Sequence, residues 1–247
     1  SFFSNSVTYV SNTGIVKTVN PNDGNITDTA EGWSWYLNPA ESYPSNTLVL
    51  SGINIDLAED NNNIDASNYS GNAQYPVTNS AKTIDQIGEG YGFFNKIGII
   101  MRGSDESGNS YSTNVYIKDG TVNSIKAYTF GLYVGNAYLW GNGTLNIDSE
   151  GTGLRGGCDS AGYKHLYIGK DVSGTTFNPT IVINATSGVY GIGIVEFAGG
   201  NINVISRPTV SGNAIAAWSM PLIFSGNVNV YAAIIPNGSG FTSNYVI

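Results

Sequence analysis

The sequence predicts an all-β protein of a single domain, and within that class a parallel β-helix of about six or seven coils with long loop insertions. Three observations lead there. Charged residues are only 11% of the 247 residues, against a usual quarter, so the chain has few Lys, Glu and Arg with which to cover helical surfaces. In their place stand 32 Gly and 16 Tyr among many Asn, Ser and Thr, a mixture suited to short strands and tight turns. Finally, apolar residues recur in period-two pairs, and a short element of aromatic or small residue, Gly, then Leu, Ile or Phe returns at intervals of roughly twenty or forty residues. The rival architecture is an antiparallel β-sandwich.

The recurring element appears as Tyr91-Gly92-Phe93, Phe130-Gly131-Leu132, Thr152-Gly153-Leu154 and Tyr190-Gly191-Ile192, with Asn213-Ala214-Ile215 as a degenerate copy. Between copies lie two apolar pairs across a Gly/Asn corner. Tyr138 and Trp140 precede Leu145 and Ile147 across "GNG"; Leu166 and Ile168 precede Ile181 and Ile183; Val195 and Phe197 precede Ile202 and Val204. Ile223 precedes Val228 and Val230, and upstream Val115 and Ile117 precede Val122. Trp140, Phe197 and Ile223 each stand five residues before the next apolar pair, which aligns them as one core column. Such pairs are very short strands pointing alternate side chains inward, and their repetition makes each unit one coil, with Asn at the corners able to form side-chain ladders.

The ends read as caps. Residues 1–31 form an N-terminal cap region, 32–232 the coils, and 233–247 a C-terminal cap strand containing "GFTSNYVI". Trp33 and Trp35 share a face and pack beneath the N-terminal cap. Leu57 to Gly88, Gly103 to Thr113, Gly156 to Lys164 and Gly169 to Asn178 are the insertions, because lengthening a surface loop costs little.

The order "GWSWY…TLVLSGINI", then "FGL" and "YGI" units around "LWGNGTLNI", resembles bacterial secreted or cell-surface proteins with a right-handed parallel β-helix, broadly the pectate-lyase-like superfamily. The likeness covers roughly Gly32 to Ala232 and rests on structural motifs. It implies a right-handed solenoid, an extracellular location and dealings with polysaccharide as lyase, hydrolase, binder or adhesin. It transfers no catalytic residue.

Charge narrows the partners. A net charge of −8 argues against nucleic acid, which demands clustered Lys and Arg, and against anionic membrane surfaces. No apolar run is long enough for a membrane-spanning helix. The single cysteine, Cys158, excludes an internal disulfide framework and reads as a small buried residue. Low charge and abundant Asn, Ser, Thr and Tyr fit a secreted or surface protein, and an opening Ser1 without Met is consistent with a trimmed export signal.

Candidate chemistry is sparse. "GTGLRGG", Gly151 to Gly157, carries the G-x-G-x-x-G spacing of a dinucleotide site, but such a site needs a following helix, and "GGCDSAGYK" has no helical period. Gly153 is instead a corner glycine matched by Gly131 and Gly191. If the protein is an enzyme, Asp148 and Glu150, which share strand parity, with Arg155 nearby, are the catalytic candidates. His165, the only histidine, reads as a surface residue. The acid- and amide-rich "DLAEDNNNID" offers Asp56, Glu59, Asp60 and Asp65 as oxygen ligands for calcium, the one cofactor considered. Tyr36, Tyr43, Tyr69 and Tyr75 lie in polar insertions, where exposed rings would stack on sugar faces. The leading expectation is a non-enzymatic extracellular module that binds glycan or a host or surface partner at a bacterial cell surface. A β-helix lyase or hydrolase and a structural spacer are the alternatives.

Overall fold

The computed structural model describes residues 7–10, 16–19, 25–26, 32–36, 38–40, 43–56, 97–101, 113–127, 130–134, 136–156, 165–191, 193–206, 214–217, 222–223, 225–232 and 241–242. These residues form β-strands joined by turns, with no helix among them.

Most strands fall into three parallel rows. The first row runs β4 (Thr47–Leu50), β7 (Thr113–Ile117), β10 (Ala137–Gly141), β12 (Leu166–Ile168), β14 (Val195–Phe197) and β17 (Leu222–Ile223). The second runs β5 (Asn54–Asp56), β8 (Val122–Ala127), the first half of β11 (Thr144–Gly156), the first half of β13 (Thr180–Gly191), β15 (Asn201–Ser206) and β18 (Asn227–Ala232). The third runs β6 (Ile97–Met101), β9 (Phe130–Val134), the second halves of β11 and β13, β16 (Ile215–Ala217) and β19 (Phe241–Thr242). The chain visits first, second and third row in that order six times. Among the described strands, antiparallel pairing involves only those before β7: β3 (Trp33–Tyr36) pairs β4, β1 (Val7–Val10) pairs β6, and β2 (Val16–Val19) pairs β1. The antiparallel sandwich is therefore excluded.

Register turns the rows into a core, because in-register parallel strands place like side chains directly above one another. Leu48, Val115, Leu139, Ile168, Phe197 and Ile223 form one column. Ile55, Ile125, Ile147, Ile183, Val204 and Val230 form a second. Ile99, Leu132, Leu154, Val189, Ile215 and Phe241 stand in register in the third row. The central members of these columns belong to one apolar cluster, which Trp33 and Trp35 join at its N-terminal end. Full burial of each such side chain contributes about 1.5–3 kcal/mol.

Three alignments expected from the sequence are corrected by this register. Leu139, not Trp140, occupies the column of Ile168 and Phe197; Trp140 points the other way. The reason is an extra residue in the corner: Gly141, at φ +103°, prolongs β10, so the inward residue stands six before Leu145 rather than five. Val122 is 63% exposed, and the inward position beside Leu145 belongs to Asn123, which is fully buried. Finally, the glycine matching Gly153 is Gly188, not Gly191, since Leu154 pairs Val189.

Nor is Gly153 a corner. Residues 144–156 form one strand, with a register shift between Ser149 and Thr152 that carries the chain from the second row to the third. Gly98, Gly131, Gly153 and Gly188 stack just inside the third row, one per turn, with Ala214 next. A Cβ on Gly131 would collide with the Ile147 side chain and stand 2.7 Å from the Gly153 oxygen. One on Gly153 would collide with Ile183 and stand 2.9 Å from the Gly188 oxygen. The column is glycine because the third-row backbone leans on the second-row core.

Candidate functional site

The outer face of the second row carries an open concavity. Inward parity at Ile55, Ile125, Ile147 and Ile183 turns their neighbours outward. Two outward columns result: Asn54, Ser124, Asn146 and Val182 in one, Asp56, Lys126, Asp148 and Asn184 in the other. Together they line an open groove of about 340 Å³. Lys126 stands between two acids, directly opposite both Asp56 and Asp148, with its Nζ 3.7 Å from Asp56 Oδ1. The acids sit two strands apart, a backbone separation of about 9–10 Å. Both Lys126 and Asp56 are more than half exposed, so the pair contributes little stability and leaves its charges in contact with solvent. The groove thus offers carboxylate acceptors, an ammonium donor and amides that do both.

The outer face of the first row is aromatic. Tyr36, Tyr43, Tyr116, Trp140 and Phe177 follow one another with ring centroids 4.8, 5.3, 4.4 and 5.0 Å apart. Beside this series, Tyr138 and Tyr167 stack at 4.5 Å. His165 Nδ1 lies 2.8 Å from the Tyr167 hydroxyl, and Lys170 Nζ sits 4.5 Å over the Tyr167 ring while pairing with Glu196 at 2.5 Å. Burial first, then the neighbouring Tyr138 and Glu196, pushes the Tyr167 phenol above its ordinary value. Each ring of the series packs at a tilt against the next, and the Tyr116 hydroxyl is engaged with Asp119.

A corner ladder braces this face. Asp119 accepts hydrogen bonds from the Asn142 backbone at 2.9 Å, the Asn142 amide at 3.2 Å and the Tyr116 hydroxyl at 3.2 Å, while Asn142 Oδ1 accepts from Asn178 N. Partial burial opposes the Asp119 charge, but these donors outweigh it and hold the carboxyl below its usual value. The resulting stability is present above the unfolded-state value near 4 and is lost as pH falls through the lower folded value. Asp119 is exposed, so Asp119→Asn is expected to lower the melting temperature at pH 7 by only about 2–4 °C. The gap from the parent protein should narrow as pH falls below the unfolded-state value and close once the folded carboxyl is protonated; a gap that persists in acid would show that the charge is not what matters.

The residues singled out in the sequence distribute unevenly. Asp56 and Asp148, expected in separate roles, share the groove. Glu150 is exposed beside the register shift, and Arg155 lies beyond it in the third row, its guanidinium 4.0 Å over the Tyr190 ring. Tyr36 and Tyr43 contact each other at the head of the aromatic series. Tyr69, Tyr75, Glu59, Asp60 and Asp65 lie outside the described residues, as does Cys158. Among the described residues no three His, Cys, Asp or Glu side chains gather as a metal site, and of the calcium candidates only Asp56 is described, facing Lys126. Lys126, Asn54, Asn146 and Asn184 were not anticipated. A partial signal existed: "NID" occurs at Asn54 to Asp56, Asn63 to Asp65 and Asn146 to Asp148; the first and last have their Ile in the same core column, and the second lies outside the described residues.

No protein family, curated protein or solved structure matches the chain.

Proposed function

We propose that the chain is a right-handed parallel β-helix and a non-catalytic extracellular module that binds glycan at a bacterial surface. Three rows visited six times in fixed order support the solenoid reading, and a sparsely charged, Asn- and Tyr-rich composition supports the extracellular one. The observation that carries glycan binding is the groove over Asp56, Lys126 and Asp148. Sugars are recognised by paired donors and acceptors on adjacent hydroxyls, and here carboxylate, ammonium and amide groups alternate at strand spacing on a rigid sheet. Rigidity matters because a site that orders few side chains on binding loses little entropy.

The test is a glycan array followed by calorimetry on the hits, with Lys126→Met as the variant. Binding that falls at least about tenfold in Lys126→Met, from loss of a charge-assisted hydrogen bond, is the expected result. No hits across the array would favour a structural spacer. Release of new sugar ends from any bound polymer, abolished by Asp148→Asn, would replace the binder with an enzyme.

A further inference from the structure

Resting on that reading, we infer that the groove takes a linear, uncharged glycan lying along the stacking axis, one sugar per strand, and rejects polyuronates. The direction follows from register. Asp56, Lys126, Asp148 and Asn184 occupy one column crossing four successive strands, β5, β8, β11 and β13. Successive strands are about 4.8 Å apart, close to the length of one extended hexose residue, so each strand meets one sugar. A glycan lying along a strand would instead meet only two outward residues of the groove on each strand, about 6–7 Å apart, a repeat longer than one sugar.

The selectivity follows from charge. The column holds two carboxylates and one ammonium, a local excess of one negative charge on a chain of net charge −8. Lys126 lies 3.7 Å from Asp56 and opposite Asp148, so a carboxylate that approaches its ammonium also approaches both acids. A uronate on each sugar would place its carboxylate beside Asp56 or Asp148, where like charges repel, with Lys126 the one cation in the column. Hydroxyls, by contrast, donate to both acids and accept from Lys126.

Two measurements on the intact chain test this. Calorimetry at low salt compares neutral linear hexamers (α-1,4, β-1,3 and β-1,4 linked) with galacturonate and glucuronate hexamers, then repeats the best neutral ligand at lengths two to six. The expected result is binding of at least one neutral series, uronates weaker by about tenfold or more, a gap that narrows with salt, and affinity that levels off near four sugars. In Asp56→Asn with Asp148→Asn, isosteric exchanges on an exposed face, the uronate penalty should shrink while circular dichroism is unchanged. Uronates binding as tightly as neutral hexamers would overturn the selectivity while leaving glycan binding intact. Affinity that is already maximal at two sugars would overturn the axial orientation. No binding to any series would defeat the glycan reading itself, and the inference with it.

Discussion

Gly153→Ala is expected to destabilise the protein by more than about 3 kcal/mol, a fall of roughly 6–12 °C in melting temperature for a chain of this size. A single methyl group does this because it has nowhere to go. It would collide with the Ile183 side chain, itself fully buried between Ile147 and Val204, and stand 2.9 Å from the Gly188 carbonyl oxygen. Moving Ile183 disturbs a column that the neighbouring strands share, so the strain cannot be relieved locally. Gly120→Ala is the comparison. Gly120 has open space around its missing side chain but a φ of +72°, so its exchange costs about 1–2 kcal/mol through backbone strain alone. Urea melts of both variants decide the matter: a Gly153→Ala protein no less stable than Gly120→Ala would mean that the rows do not lean on one another as described.

The second large effect is expected at Asn123, a buried amide in a column otherwise filled by Leu145, Ile181, Ile202 and Val228. Its Oδ1 accepts from Gly52 N at 2.8 Å and Ile53 N at 3.0 Å, and its Nδ2 donates to the Thr144 oxygen and Thr121 Oγ1, each at 3.1 Å. Asn123 therefore ties the turn entering β5 to the turn entering β11. Asn123→Leu matches the neighbouring core residues and adds apolar burial, yet it strips the partners from two backbone donors and one backbone acceptor. Leaving such groups unsatisfied costs about 1–3 kcal/mol each where they are buried, so a net loss of about 2–4 kcal/mol is expected. Asn123→Asp separates the two ends of the amide, since it keeps the acceptors and loses the donors. A Leu variant as stable as the parent would show that water replaces the amide at the turn.

These two sites mark where sequence reading stopped. Period two in "LNI", "IVI" and "INV" identified Leu145 and Ile147, Ile181 and Ile183, and Ile202 and Val204 as equivalent pairs, and the register agrees at every one. That success has a local cause, because alternation along a strand depends only on adjacent residues. Asn123 went unrecognised because its polarity hid it: an amide at an inward position breaks the apolar period, and Val122 beside it supplied a false substitute. Trp140 misled for the complementary reason. It is apolar and 95% buried, but it is buried against Tyr116 and Phe177 on the outer face, where hydrophobicity carries no information about direction.

The groove was less legible than the core. Asp56 and Asp148 were each noticed, one as a calcium ligand and one as a catalytic acid, for their local surroundings. Their proximity depends on β5 and β11 both pairing with β8, a relation between residues far apart in the chain. Lys126, which joins them, has no distinguishing neighbours in "VNSIKA".

By itself, then, the sequence determined the all-β class, the short strands and most of the inward-facing residues, because composition and period two are properties of adjacent residues. Only the tertiary structure decided which strands are neighbours, how long each corner is, and therefore which outward side chains meet. Corner length sets register, and a corner one residue longer, as at Gly141, shifts an entire strand relative to its pattern without changing the pattern. The candidate site is built from cross-strand neighbours, so it comes into existence only when that register is fixed.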